Sequence, residues 1–145
     1  MSFIELQNAE SILEKLNENT KPLWGTMNAQ QMVEHLEVNF HYSSGAREAT
    51  LITPVEHIVP TQKFLMSDKP MPKEFKAKFL SDIDFELRAD NLADAIGSLL
   101  SHLNEFLNNF EGKALQPVFG DLDKEMWTML NRKHFTHHFS QFGLV

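Results

Sequence analysis

The feature that most constrains the fold is a long amphipathic stretch from Leu92 to Phe110. Apolar side chains recur there at intervals of three and four residues, the pattern of an α-helix with one buried face. Asn91 is a suitable N-cap, and Gly112 can end the helix. Because this stripe carries the heaviest apolar load in the chain, we expect its helix to be the most buried element, with Leu99 in the core. The stripe consists of Leu92, Ala95, Ile96, Leu99, Leu100, Leu103, Phe106, Leu107 and Phe110.

Two more helices are predicted earlier in the chain. Residues 8–17 carry an apolar stripe of helical period. A longer helix is predicted for residues 28–44, because Asn28 followed by Gln31 three residues later resembles a capping box. Gly45 is a suitable residue to end that second helix.

A fourth helix is predicted after Asp123, which is a suitable N-cap. Its inward stripe is apolar at first and turns polar at His134. No stretch of the chain shows the convincing alternation of apolar and polar residues that indicates a strand. We therefore predict an all-α fold, a helical bundle, formed by a single domain over residues 1–145.

Residues 46–89 form the least regular part, with four prolines and several lysines. A solvent-exposed connection is the simplest interpretation, since runs of charge usually lie at the surface. A connection of this length is uncommon in a compact domain unless it has a function. We expect this segment to border the entrance of a pocket.

Composition excludes several classes of protein. The 145 residues include no cysteine, so disulfides, thiolate metal sites and a cysteine nucleophile are excluded. The formal net charge of −7 argues against a nucleic-acid partner. No run approaches the roughly 18 apolar residues of a membrane span, and the start of the chain does not resemble a signal peptide. We expect a cytoplasmic protein with neither nucleic-acid nor membrane partners.

His134 and His138 are the first candidate metal ligands. On a helix, residues four apart lie on one face, so both rings can reach one ion. The zincin motif uses the same spacing, with Glu after the first histidine as the base. Phe135 stands there in this chain, which excludes that protease chemistry. Spacing alone leaves two interpretations open, a metal site or core histidines whose hydrogen bonds the protein satisfies.

His35 is the best candidate for a third ligand, because it lies in mid-helix at the edge of an apolar stripe. Three protein ligands leave one coordination position for water or substrate. His41 is rotated away from it, and His57 lies in the irregular segment. Glu34 and Glu37 are expected to face solvent.

The chain's ligand chemistry narrows the choice of metal. Without cysteine, the ligands are His, Asp or Glu, and we expect zinc or nickel first, then iron or manganese. His137 precedes His138 by one residue, so it should point about 100° away and not ligate the same ion. We expect His137 either to contact the ligating residues without binding the ion or to carry protons, since imidazole titrates near neutral pH. His102 falls opposite the stripe of the third helix and is expected at the surface.

Three segments resemble a known family. Residues 24–36 read WGTMNAQQMVEHL, residues 69–73 read KPMPK, and residues 117–143 contain PVFGDL, Trp127 and KHFTHHFSQFG. The pattern is similar to that of the DUF1569 subgroup of the DinB/YfiT-like superfamily, and the resemblance covers nearly the whole chain. It implies a DinB/YfiT-like four-helix bundle with a long crossover connection.

The resemblance also implies site residues and chemistry. It implies a metal bound by His35, His134 and His138. Gln141 matches the glutamine that commonly follows the histidine pair. Similar sequences often have histidine where this chain has Gln116, a departure that removes any role of that histidine toward metal or substrate. Characterised enzymes of the superfamily use low-molecular-weight thiols, whose pKa the metal lowers.

Three functions remain in competition. The first is a metal-dependent transferase or hydrolase that acts on a small molecule with a thiol cofactor. The second is a non-catalytic module that binds a metal or a small-molecule ligand. The third is a structural homodimer with a satisfied histidine cluster, which would contain no stoichiometric metal.

Overall fold

The computed structural model describes residues 2–72 and 86–145. These residues form five α-helices and one two-stranded sheet. Short 3-10 turns at Leu6–Asn8 and Val55–His57 lead into the first and third helices. The elements in chain order are α1 (Ala9–Leu13), α2 (Ala29–Ser44), α3 (Ile58–Met66), α4 (Leu92–Asn109), β1 (Lys113–Gln116), β2 (Gly120–Asp123) and α5 (Lys124–Gln141).

The long helices begin where the sequence predicts. Asn28 accepts from the Gln31 N–H at 2.8 Å, and the Gln31 side chain accepts from the Asn28 N–H at 2.9 Å. This completes the predicted capping box, and Gly45 ends α2 with a left-handed φ of 85°. The side chains of Asn91 and Asp123 cap α4 and α5 with bonds of 2.9 Å each. The first helix, α1, is shorter than predicted.

The prediction of an all-α four-helix bundle is wrong, because the chain between α4 and α5 forms an antiparallel hairpin. The register runs from Lys113 opposite Asp123 to Gln116 opposite Gly120. Gly120 adopts φ of 82°, a conformation that glycine reaches without steric cost. Strands of four residues are too short to reveal an alternating pattern. The hairpin is instead supported by tertiary packing, of β1 on α2 and of β2 on α5.

The helix α3 is a second departure from the predicted bundle. It lies within residues 46–89, which the sequence describes as irregular, and it packs on α5. Pro60 falls in its first turn, where a missing N–H does not break the helix. The Nζ of Lys133 on α5 donates to the carbonyl of Phe64 at 2.9 Å and fixes the two helices together. Residues 73–85 of the same segment lie outside the described residues.

The most buried helix is α2, not α4 as predicted. Twelve of the sixteen residues of α2 are buried, because α4, α5 and β1 pack around it. Helix α4 buries one face only, at Leu92, Ala95, Leu99, Leu103 and Phe106. Leu99 is 0% exposed, as expected. The periodicity of α4 therefore predicts its buried face correctly but overestimates how much of the helix is buried.

Across the described chain, no helix combines the length and apolar content that crossing a bilayer requires.

Candidate metal centre

Three histidines from α2 and α5 converge on one point. His134 and His138 lie one turn apart on α5, and His35 faces them from α2. The Nε2 atoms of His35 and His134 are 2.9 Å apart. The ring centroids are separated by 4.7, 4.8 and 4.8 Å. The three residues that the sequence singles out are thus brought together by the fold.

The donor set of these histidines fits a divalent ion. One ring nitrogen of each lies within 4.8 Å of the others. A tetrahedral ion with bonds of about 2.0–2.1 Å holds its ligand atoms roughly 3.4 Å apart. His35 and His138 are 8% and 6% exposed, so the site is largely closed to bulk water.

The environment keeps the two histidine rings of α5 neutral, the form that binds metal. Burial holds the pKa of His134 well below its ordinary range, and the neighbouring His35 and His138 lower it further. Burial and the charge of His35 also hold the pKa of His138 well below its ordinary range, against an opposing hydrogen bond to Gln141. Each neutral ring presents one lone pair.

Gln141 orients His138. The two residues lie three apart on the last turn of α5, and His138 Nδ1 bonds Gln141 Oε1 at 2.7 Å. The amide oxygen can only accept, so the proton is on Nδ1 and the lone pair is on Nε2. Gln141 Nε2 donates to the carbonyl of Trp24 at 2.9 Å, which fixes the amide. A Cβ added at Gly25 would lie 2.5 Å from Gln141 Nε2, so the chain needs glycine there.

Asn39 and Gln116 orient His134. Gln116 Oε1 accepts from the N–H groups of Val118 and Phe119 at 2.6 and 2.9 Å. These bonds fix the amide, since only its oxygen can accept them. Gln116 Nε2 therefore faces Asn39 Oδ1 at 3.4 Å. The Asn39 Nδ2 in turn donates to His134 Nδ1 at 3.2 Å.

This series of hydrogen bonds determines which ring nitrogen of His134 carries the proton. Because His134 Nδ1 accepts from Asn39, the proton is on Nε2 and donates to His35 Nε2 across 2.9 Å. Ligation through His134 Nε2 requires that proton to move to Nδ1. The Asn39 amide must then turn its oxygen toward the ring. Asn39 thus decides which nitrogen of His134 is free.

Asn39 is a site residue that the sequence did not single out, although a signal was present. Asn39 follows His35 by four residues on α2, and residues at that spacing share a helix face. From the sequence, Gln116 was only the position at which similar sequences often have histidine. The structure gives Gln116 a different role, because the buried side chain closes the hairpin turn and supports Asn39.

His137 lies beside the three histidines and is not grouped with them. Its ring centroid is 4.8 Å from that of His138 and 6.0 Å from that of Trp24. Burial lowers its pKa, against an opposing hydrogen bond with the Met71 backbone. This contact brings the end of the described 46–72 stretch against α5 next to the site.

The expectation that Glu34 and Glu37 face solvent is wrong, since they are 3% and 5% exposed. Glu34 Oε1 accepts from the Arg88 N–H, and Glu34 Oε2 accepts from the Gln30 side chain. Glu37 contacts His41 on its own helix and His102 on α4. Their burial follows from the central position of α2. His57 is exposed and stays apart from the site.

The fold and the site define a class, a mostly helical protein with three converging histidines of the metal-ligand type. The chain belongs to the DUF1569 family, described as a protein of unknown function, whose model matches residues 1–143. The resemblance to DUF1569 is thereby confirmed, and membership of the wider DinB/YfiT-like superfamily is not. No curated protein and no solved structure matches the chain significantly.

Proposed function

We propose that the protein binds one divalent metal ion through His35, His134 and His138 and presents it to a small-molecule ligand. The observation that supports this most directly is the convergence of three histidine rings from two helices, two of them held neutral by burial. Gln141 accepts from the outer nitrogen of His138, as partners of metal-bound histidines commonly do, and Asn39 would do the same for His134 once its amide turns. Zinc or nickel is the expected ion, followed by iron or manganese.

Three imidazoles leave a coordination position for water or a ligand atom. A bound divalent ion supplies a Lewis acid, whose charge neutral ligands do not offset. His137 is our candidate for a group that exchanges protons with a ligand there, because it is partly exposed and lies beside His138. The resemblance to thiol-using proteins suggests a low-molecular-weight thiol as cofactor, in a transferase or hydrolase reaction.

Two alternatives each have one observation in their favour. Among the described residues, the group of three histidines contains no carboxylate to act as a base, which favours a binding module without catalysis. The bond between His35 and His134, with Asn39 and Gln141 behind them, also satisfies ring nitrogens without an ion. That favours the third function, a structural homodimer with a satisfied histidine cluster.

The test begins with the metal content of protein purified without a histidine tag, measured by mass spectrometry. We expect about one tightly held equivalent in the parent. His35→Ala, His134→Ala and His138→Ala should each lose it, while His137→Ala and the exposed control His57→Ala keep it. If the three variants retain metal like the parent, the metal proposal is wrong and the structural cluster stands.

Metal-loaded protein is then incubated with small thiols and electrophiles. Turnover that disappears in His138→Ala and falls in His137→Ala would support the transferase. Thiol binding without turnover would support the binding module.

A further inference from the structure

A second group of metal-type side chains lies between α2 and α4. We infer that Glu37, His41 and His102 form a second divalent-metal site, distinct from the three-histidine site. One ligand atom of each residue lies within 4.8 Å of the others. The sequence does not point to this group, since it predicts Glu37 in solvent, His41 rotated away from the metal ligands and His102 at the surface.

The helices place these donors together for a simple reason. Glu37 and His41 lie four residues apart on α2 and share one face. His41 Nε2 is 2.9 Å from Glu37 Oε1, and His102 Nδ1 on α4 is 3.8 Å from Glu37 Oε2. The ring centroids of His41 and His102 are 5.1 Å apart.

The surroundings prepare two of the three donors. His102 Nδ1 bonds the Ser98 carbonyl at 2.9 Å, which places the proton on Nδ1 and leaves the Nε2 lone pair for an ion. The Glu37 carboxylate lies beside His41 Nε2 and the Arg88 guanidinium, partners that favour its ionised form.

Access distinguishes this site from the first. The side chains of His41 and His102 are 16% and 36% exposed, while Glu37 at their base is 6% exposed. An ion can enter from solvent and keep water in its remaining positions. Two imidazoles and one carboxylate suit zinc, iron, manganese or cobalt.

Arg88 is the feature that opposes metal binding. Its guanidinium lies 3.6 Å from Glu37 Oε1 and is held by a 2.8 Å bond to the Glu34 carbonyl. The alternative to a metal site is an ion-pair cluster of Arg88, Glu37 and the two histidines. Because Arg88 is on the Oε1 side, an ion would use Oε2, which faces His102. The positive charge of Arg88 should make this site weaker than the three-histidine site.

The test is a titration of metal-free, tag-free protein with Co²⁺, followed by its visible absorption. We expect two equivalents in the parent and one in His102→Ala, whose partly exposed ring can be removed with little cost to folding. The exposed control His57→Ala should bind two. If the parent and His102→Ala both bind one, the second site does not exist and the three-histidine proposal stands. If the parent binds one and His102→Ala binds none, the second site stands and the three-histidine proposal fails.

Two further variants keep the test decisive. The double variant His35→Ala/His138→Ala should retain one equivalent, lost when His41→Ala is added. Arg88→Met removes the opposing charge and should tighten Co²⁺ at the weaker site by roughly tenfold. An ion-pair cluster without metal affinity would instead show no change in Co²⁺ binding in Arg88→Met, and that result would overturn the inference.

Discussion

Asn39 determines which nitrogen of His134 is available, because its side chain lies between the buried Gln116 amide and the ring. In the metal-free arrangement, Asn39 donates to His134 Nδ1, which keeps the proton on Nε2. A carboxylate at this position would accept a proton from Nδ1 and also accept from Gln116. Substitutions of Asn39 can therefore either raise or lower the affinity for metal.

Asn39→Asp should bind zinc about tenfold more tightly than the parent, and Asn39→Ala more weakly, because partners behind metal-bound histidines commonly change affinity by roughly 10–100-fold. Competition with a chelator measures the affinities. Nitrogen NMR of the histidine rings should show His134 protonated on Nδ1 in the metal-free Asp variant. Weaker zinc binding by Asn39→Asp than by Asn39→Ala would show that the proton assignment is wrong.

At the scale of elements, α4 and α2 have different roles in the core. Helix α4 covers one side of α2 with its single buried face, and Leu99 lies at the middle of that face with 0% exposure. Helix α2 carries His35 and Asn39 toward α5, and Glu37 and His41 toward α4. The packing of α4 on α2 therefore supports both groups of histidines.

Leu99→Ala should lower the free energy of unfolding by about 2–5 kcal/mol, the usual cost of truncating a buried leucine. Leu100→Ala, one residue further and only partly buried, should cost less and serves as the matched control. Urea denaturation followed by circular dichroism measures both. Equal effects of the two substitutions would contradict the assignment of the buried face.

How far the sequence predicts these elements depends on length and local chemistry. The long helices were predictable, because the stripe from Leu92 and the caps at Asn28, Asn91 and Asp123 act through neighbours in sequence. The hairpin was not, because its four-residue strands depend on a buried Gln116 side chain and on packing against α2 and α5.

The same distinction between local pattern and tertiary packing holds for the candidate site. The pair His134 and His138 follows from helical spacing, and His35 was found by its place in mid-helix. The contacts of Asn39 and of the group around Glu37 depend on which face of α2 packs against α5 and which against α4. Sequence patterns do not fix that pairing of faces.

For the whole molecule, the buried histidines make stability depend on pH. Burial holds the pKa of His134 and His138 well below the ordinary value of 6.5 in the folded chain. In the unfolded chain both rings titrate normally, so below that pH the unfolded state takes up protons that the folded state does not. Their contribution is complete above the ordinary pKa and is lost as the pH falls.

The free energy of unfolding of metal-free protein should therefore decrease from about pH 7.5 to about pH 5.5, by up to roughly 1.4 kcal/mol per pH unit for each histidine. Urea titrations across this range measure the slope. His138→Gln should reduce it, and the exposed His57→Ala should not. A stability that is constant or rises toward pH 5.5 would show that these rings are not buried as neutral groups.

The central claim is that His35, His134 and His138 hold one metal ion, and its most direct test is an anomalous difference map from a crystal of zinc-loaded protein. We predict a zinc peak bonded to one ring nitrogen of each histidine at about 2.0–2.1 Å. In that crystal the Asn39 side-chain oxygen should face His134 Nδ1. A zinc-saturated crystal in which His134 remains bonded to His35, with no peak between the three rings, would contradict the account.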